Sequence, residues 1–215
     1  STMLIFIYRR SILFNIFFNN ILLISCEQAP QYYEVSGRLH TPYHIKFEHT
    51  KPLDKEIDEQ LKYFYHLFNA FDSTSVISQV NQNRDIRVDT LFQKVFKKAL
   101  EVSTETNGAY DVTCAPLINL WGFGFSRKDS VTPAHIDSVR QFIGFQKVRL
   151  EGDRIVKDDP RLMMNFSSLA DGTVCDMIAQ MLEKKGVRNY LVEFGGEMRV
   201  KGVNPMGVDW RLGIA

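Results

Sequence analysis

Tyr190-Leu191-Val192-Glu193-Phe194-Gly195-Gly196-Glu197-Met198-Arg199-Val200-Lys201-Gly202 is the run that decides the fold class. Its β-branched and aromatic residues make 190–194 a strand, Gly195-Gly196 break it, and 197–203 resume as a strand. The twin glycines permit close backbone approach or a β-bulge, and taken alone they read as a bulge. Immediately upstream, residues 171–185 carry Val174, Ile178, Met181 and Leu182 at helical spacing, with Gly186 as the stop. Downstream, 209–214 reads as a further strand. At the other end, 33–49 contains Tyr33, Val35 and Tyr43–Phe47, a hairpin with its turn near Gly37 to Pro42. Leu53, Ile57, Leu61, Phe64 and Phe68 mark an amphipathic helix, and Leu91, Val95, Ala99 and Val102 a second, closed by Asn107-Gly108. Thr132-Pro133 opens another helix, with Ile136, Val139 and Ile143 turned inward. Residues 147–150 and 154–156 form short strands about a turn at Glu151-Gly152-Asp153. Helices and strands mix without a βαβ rhythm. The expected class is therefore α+β, a mixed or antiparallel sheet with flanking helices, in one domain over 33–215.

The chain has 215 residues, 45% hydrophobic and 24% charged, enough for one sizeable core. A net charge of +1 with scattered basic residues excludes an extended nucleic-acid face. Three cysteines, Cys26, Cys114 and Cys175, form neither a disulfide framework nor a zinc spacing. Cys114 and Cys175 read as small buried hydrophobes. Residues 1–26 read as a targeting segment: Arg9-Arg10, an apolar run from Ile12 to Ile24, then Leu23-Ile24-Ser25-Cys26, which resembles a bacterial lipobox. Cys26 is then the lipidated residue and 27–32 a tether. The chain stops inside the last expected strand, so a C-terminal part is expected to be missing.

Three segments carry chemistry. Residues 107–124, dense in glycine and aromatics with Pro116, read as a packed loop or as a wall whose amides face a planar ligand. Residues 163–176 run from an apolar strand end through a small-residue turn (Ser167-Ser168-Leu169-Ala170) into a helix. Free amides there favour phosphate oxygens, although ordinary helix capping explains the serines equally well. The third is the twin-glycine run itself. His40, His44, His49, His66 and His135 share no metal-like spacing.

Taken in this order, the segments resemble the FAD:protein FMN transferases, the ApbE-like family. Asp111–Gly124 matches its D-x-T-x-x-P-L-(V/I)-N-L-W-G-F-G, Asn165–Asp176 is similar to D-(L/F)-(G/S)-(A/S)-(I/L)-A-K-G-(Y/F)-x-x-D, and Gly186–Glu197 to its twin-glycine block. Ser36–Thr41 and Phe71–Asn81 resemble two shorter upstream motifs. The resemblance covers 35–215 and implies a T-fold-related architecture. It implies Mg²⁺-dependent transfer of FMN from FAD to a Ser or Thr hydroxyl of an acceptor flavoprotein, a subunit of a membrane redox complex, with release of AMP. It places Leu39, Phe71, Ala109, Tyr110, Asp111, Ser167 and Thr173 against FAD, and gives the Ala170 carbonyl to the metal. It also implies a lipid-anchored protein of the bacterial cell membrane, facing the periplasm. Three positions depart from the pattern: Asn165 stands for Asp, Asp171 for Lys or Glu, and Thr173 for an aromatic. Two roles are open to Asp171, repelling the diphosphate or helping to hold the metal. The family's further metal ligands, an Asp and a Thr, match nothing in 1–215, so this chain alone is expected to be inactive. An FAD-binding lipoprotein or an FAD pyrophosphatase is the alternative. The Trp121–Gly124 stretch and the serine-rich turn are expected to enclose the diphosphate between them.

Overall fold

The computed structural model describes residues 28–124 and 131–213. The expected leader, with Cys26, lies outside them. In chain order the elements are β1 (Gln31–Arg38), β2 (Pro42–His49), α1 (Asp54–Phe68), α2 (Val76–Asn81), α3 (Thr90–Glu105) and α4 (Ala115–Leu120). There follow α5 (Pro133–Arg140), β3 (Val148–Glu151), β4 (Arg154–Lys157), α6 (Ser167–Lys184), β5 (Tyr190–Phe194) and β6 (Glu197–Lys201). The main sheet has the order β1-β2-β5-β6 and is antiparallel throughout. β3 and β4 form a separate hairpin. The α+β class stands.

Alternation along the strands sorts the two faces of the sheet. Ile45, Phe47, Tyr190, Val192 and Phe194 are buried, on the side where α6 packs against β5 and β6. The opposite face carries Glu34, whose carboxylate accepts from His44 at 2.7 Å and pairs with Lys46 at 3.0 Å. On α1 the apolar stripe Ile57, Leu61, Phe64, Leu67 and Phe68 is buried, and α1 packs on α6. α3 begins where Asp89 Oδ1 accepts from the Phe92 amide at 2.8 Å, satisfying one orphan donor of the first turn.

Phe68 stacks on Phe92 at 5.3 Å, and Phe166 meets both edge-on at 5.6 and 5.5 Å. This cluster joins α1, α3 and the residue before α6. Beside it, buried Asn81 reads the backbone of Met164 at both groups. Its Nδ2 donates to the Met164 carbonyl at 2.9 Å, and its Oδ1 accepts from the Met164 amide at 2.8 Å. The Lys157 ammonium donates to the Asn81, Pro160 and Leu162 carbonyls, closing the turn that leads into this segment.

Four local readings are corrected. α6 starts at Ser167, not 171, because Asn165 Oδ1 accepts from the Ser167 amide at 2.7 Å and the Phe166 carbonyl from the Leu169 amide at 2.8 Å. The twin glycines are not a bulge: Phe194 pairs directly with Glu197, so Gly195-Gly196 is a two-residue hairpin turn with φ of 63° and 100°. β6 ends at Lys201, where Gly202 turns the chain at φ 67°. In the described part of 209–214 only a Val203–Asp209 bridge is found, since Asn204 closes a turn onto the Val208 amide and carbonyl. Ile136 and Val139 on α5 are half-buried, and that short helix buries no residue fully.

Asn81→Ala leaves the Met164 amide and carbonyl without partners and is expected to cost roughly 2–4 kcal/mol. Urea unfolding with an unchanged m-value checks it; an unaltered midpoint would show that water replaces the side chain.

Candidate functional site

Two of the three segments lie against each other. Cys114 and Met163 form a parallel bridge, the Asn165 amide donates to the Val112 carbonyl at 2.8 Å, and Asn119 Nδ2 approaches Met163 Sδ at 3.8 Å. Between them opens a cavity of about 460 Å³. Ala109, Tyr110 and Asp111 line one side, and Asn165, Ser167 and Ser168 the other. Four of the expected site residues, Ala109, Tyr110, Asp111 and Ser167, thus face one space. The expected wall is displaced, however. Trp121 and Phe123 are 48% and 80% exposed and line no part of it; the wall is the front of the motif, 108–118.

The wall is shaped by Asp111. Its Oδ1 accepts from the Thr113 amide at 2.8 Å and hydroxyl at 2.6 Å, and its Oδ2 from the Phe145 amide at 3.1 Å. Thr113 Oγ1 in turn accepts from Gly144 at 2.7 Å. The carboxylate therefore holds the loop and the 144–145 turn together, and its reach toward a ligand is limited to what these bonds leave. Tyr110 differs. Burial pushes its phenol upward, Ser168 offsetting a part. The hydroxyl oxygen is buried, and Ser168 is the one side chain whose hydrogen bonding acts on it. A buried hydroxyl with so few partners at a cavity wall has hydrogen-bonding capacity left for a ligand.

Asn165 accepts the Ser167 amide at 2.7 Å, a bond that needs an oxygen but no charge. Ala170 lies within α6 and packs against the core. In a helix its carbonyl accepts from the amide four residues on, leaving one lone pair for a cation. Among the described residues no three His, Cys, Asp or Glu side chains approach closely enough to hold a metal ion.

The remaining expected residues lie elsewhere. Thr173 donates to the Leu169 carbonyl at 2.6 Å and lines a second cavity, of about 470 Å³, between α3 and α6; Ser168 borders both. Leu39 and Phe71, 46% and 64% exposed, border neither of these cavities. Leu39 sits in the turn between β1 and β2. The His40 ring next to it lies 5.7 Å from Phe71 and 5.6 Å from Tyr65, and the His40 amide donates to the Tyr65 hydroxyl at 3.4 Å. Tyr65 and His40 were not among the expected site residues: Tyr65 belongs to the helix that carries the apolar stripe, and a lone histidine gives no spacing signal.

Asp171 faces this ledge. Its charge contributes to raising the Tyr65 phenol, after burial, and its carboxylate lies so close to Gly195 that a Cβ there would overlap it. The Gly195 position thus needs glycine twice, for its left-handed φ and for this approach. Burial, then the Glu197 carboxylate, raises Asp171. Cys175, buried next to both acids, is pushed up to about 12, chiefly by burial, and its thiol donates to the Glu197 carbonyl at 3.4 Å. Cys114 and Cys175 are free thiols, Cys114 half-buried and Cys175 buried.

Fold and site define a ligand-binding α+β domain in which the first turns of one long helix border two cavities and an aromatic ledge. A family model described as the ApbE family matches residues 39–215, and the chain belongs to that family. It is 35% identical over 206 residues to the FAD:protein FMN transferase of Vibrio cholerae serotype O1, covering 90% of this chain and 62% of that protein. To the Haemophilus influenzae FAD:protein FMN transferase it is 30% identical over 210 residues, covering 89% and 61%. The solved structure of the flavin transferase ApbE from Vibrio cholerae superposes with a TM-score of 0.80 at 34% identity, covering 86% of this chain and 64% of that one. The chain thus spans less than two thirds of the length of these relatives.

Because its folded pKa is raised, Asp171 lowers stability as pH climbs from the ordinary carboxyl value to that raised value, and the penalty is complete above it. Asp171→Asn is expected to raise Tm at neutral pH, the gain fading as pH falls through that window. A gain independent of pH would show that charge is not the cause.

Proposed function

We propose that this chain is the nucleotide-binding portion of an FAD:protein FMN transferase. The observation that carries this reading is the cavity in which Ala109–Asp111 faces Ser167 and Ser168. The names of the relatives favour transfer over hydrolysis or binding alone. In that reaction an acceptor Ser or Thr oxygen bonds to the phosphorus on the FMN side of the diphosphate. The bond from that phosphorus to the bridging oxygen breaks, AMP leaves with the electron pair, and the hydroxyl proton is released. Tyr110 donates its hydroxyl to the bound nucleotide, and the Asp111–Thr113–Gly144 bonds hold the wall in place. When bound, Mg²⁺ would supply positive charge at the diphosphate, and the Ala170 carbonyl would offer it one oxygen. The ledge of Leu39, His40 and Phe71 offers stacking surface for an aromatic ring system, and phenylalanine keeps that capacity without a phenol's hydrogen bond.

We further propose that the protein is lipid-anchored at Cys26 on the periplasmic face of a bacterial cell membrane. The basic pair, apolar run and lipobox-like end of residues 1–26 support this reading. Cys26→Ser should release the protein from the membrane fraction and abolish labelling by a fatty-acid probe; retention of the label would place the anchor elsewhere.

FAD titration followed by flavin fluorescence tests the nucleotide reading. Binding is expected in the wild type. Tyr110→Phe is expected to weaken it by roughly 0.5–1.5 kcal/mol. No FAD uptake by the wild type would sink the assignment. Incubation of the full-length protein with FAD, Mg²⁺ and an acceptor flavoprotein then separates transfer, seen as covalent flavin on the acceptor, from hydrolysis, seen as AMP alone.

A further inference from the structure

The cavity between α3 and α6 is distinct from the first yet borders it at Ser168. Its α3 rim is cationic. Lys94 and Lys98 stand four residues apart on that helix, so both project on the same side, and both are exposed. Lys98 pairs with Glu101 at 2.9 Å, whereas Lys94 has no ion pair among the described residues. Leu91, Val95, Met177 and Met198 give the groove an apolar lining. Of its two acids, Asp176 is neutralised by Arg199 at 2.6 Å, and Glu197 neighbours Asp171. Gly172 opens onto the groove with nothing within 4 Å of where a Cβ would stand.

We propose that this groove docks an acidic stretch of the acceptor polypeptide. Acceptor carboxylates meet Lys94 and Lys98, and an apolar side chain enters between Met177 and Met198. The adjoining hydroxyl residue then reaches over Ser168 into the first cavity. The proposal rests on the reading of the first cavity as the nucleotide site. Two substrates must meet at one phosphorus, and Ser168 is common to both cavities. Charge complementarity at exposed lysines governs encounter and partner choice, which suits a polypeptide docking at a rim.

The test uses the full chain and a short fluorescein-labelled peptide in which one serine is flanked by aspartates, with fluorescence anisotropy as readout. The peptide is expected to bind the wild type and to weaken with added salt. Combined Lys94→Glu and Lys98→Glu is expected to lower its affinity about tenfold or more, with FAD affinity unchanged. A peptide with lysines in place of the aspartates should then prefer the charge-reversed variant. Gly172→Leu, which fills the groove with both lysines intact, should also weaken the aspartate peptide. No binding to the wild type, equal binding to either variant, or a parallel loss of FAD affinity overturns the proposal. Absence of FAD binding in the wild type sinks the underlying nucleotide reading instead, so the two failures are told apart.

Discussion

Everything near the site depends on how the chain is held at Met164–Phe166. Asn81 satisfies both backbone groups of Met164, and Phe166 is wedged against Phe68 and Phe92. Buried polar backbone must be paired, and a buried amide side chain that matches one residue at donor and acceptor fixes its position more tightly than apolar packing does. With 164 and 166 pinned, Asn165 is left to cap the Ser167 amide, and α6 can begin in one place only. The same residue's backbone amide is spent on Val112, which draws the 108–118 wall to the helix. Cavity, helix start and wall therefore share one anchor, and that anchor lies on α1, α2 and α3, far from these residues in sequence.

Around the helix start the electrostatics divide by side. Toward the first cavity the polar groups are neutral hydroxyls and amides, apart from an Asp111 already bonded three times. Toward the β5–β6 turn stand Asp171 and Glu197, close enough that one raises the other. Toward α3 stand the lysines. A charged ligand arriving at α6 meets a graded field, with its negative groups disfavoured beside Asp171 and favoured near Lys94.

Much of this was legible in the residues. The stripe Leu53, Ile57, Leu61, Phe64 and Phe68 repeats at the period of a helix, and the alternation in 190–194 at that of a strand, so α1 and β5 followed from local spacing alone. The facing of Ala109–Asp111 and Ser167 followed from the family resemblance and is seen in the structure. What was hidden depended on partners distant in sequence. The start of α6 is set by a side-chain cap and by Asn81, neither visible in a window of neighbouring residues. The twin glycines suit bulge and hairpin alike until the register of Phe194 with Glu197 decides. Trp121 and Phe123 look like core or wall residues by type, but exposure belongs to the folded chain, not to the residue. Thr173 follows Ser167 in the motif yet opens on another cavity, because the intervening residues are already helical.

The strand order has a consequence for how the molecule assembles. β2 finds its second neighbour in β5, pairing Phe47 with Tyr190 and Tyr43 with Phe194 across nearly the whole intervening chain. Such a closure bears a large loop entropy before any ladder bond repays it, and non-local pairing slows folding. During synthesis the amino-terminal hairpin must therefore wait, one edge open, until residues beyond 194 have left the ribosome. Through that interval the exposed edge of β2 is a place where a neighbouring chain can pair wrongly.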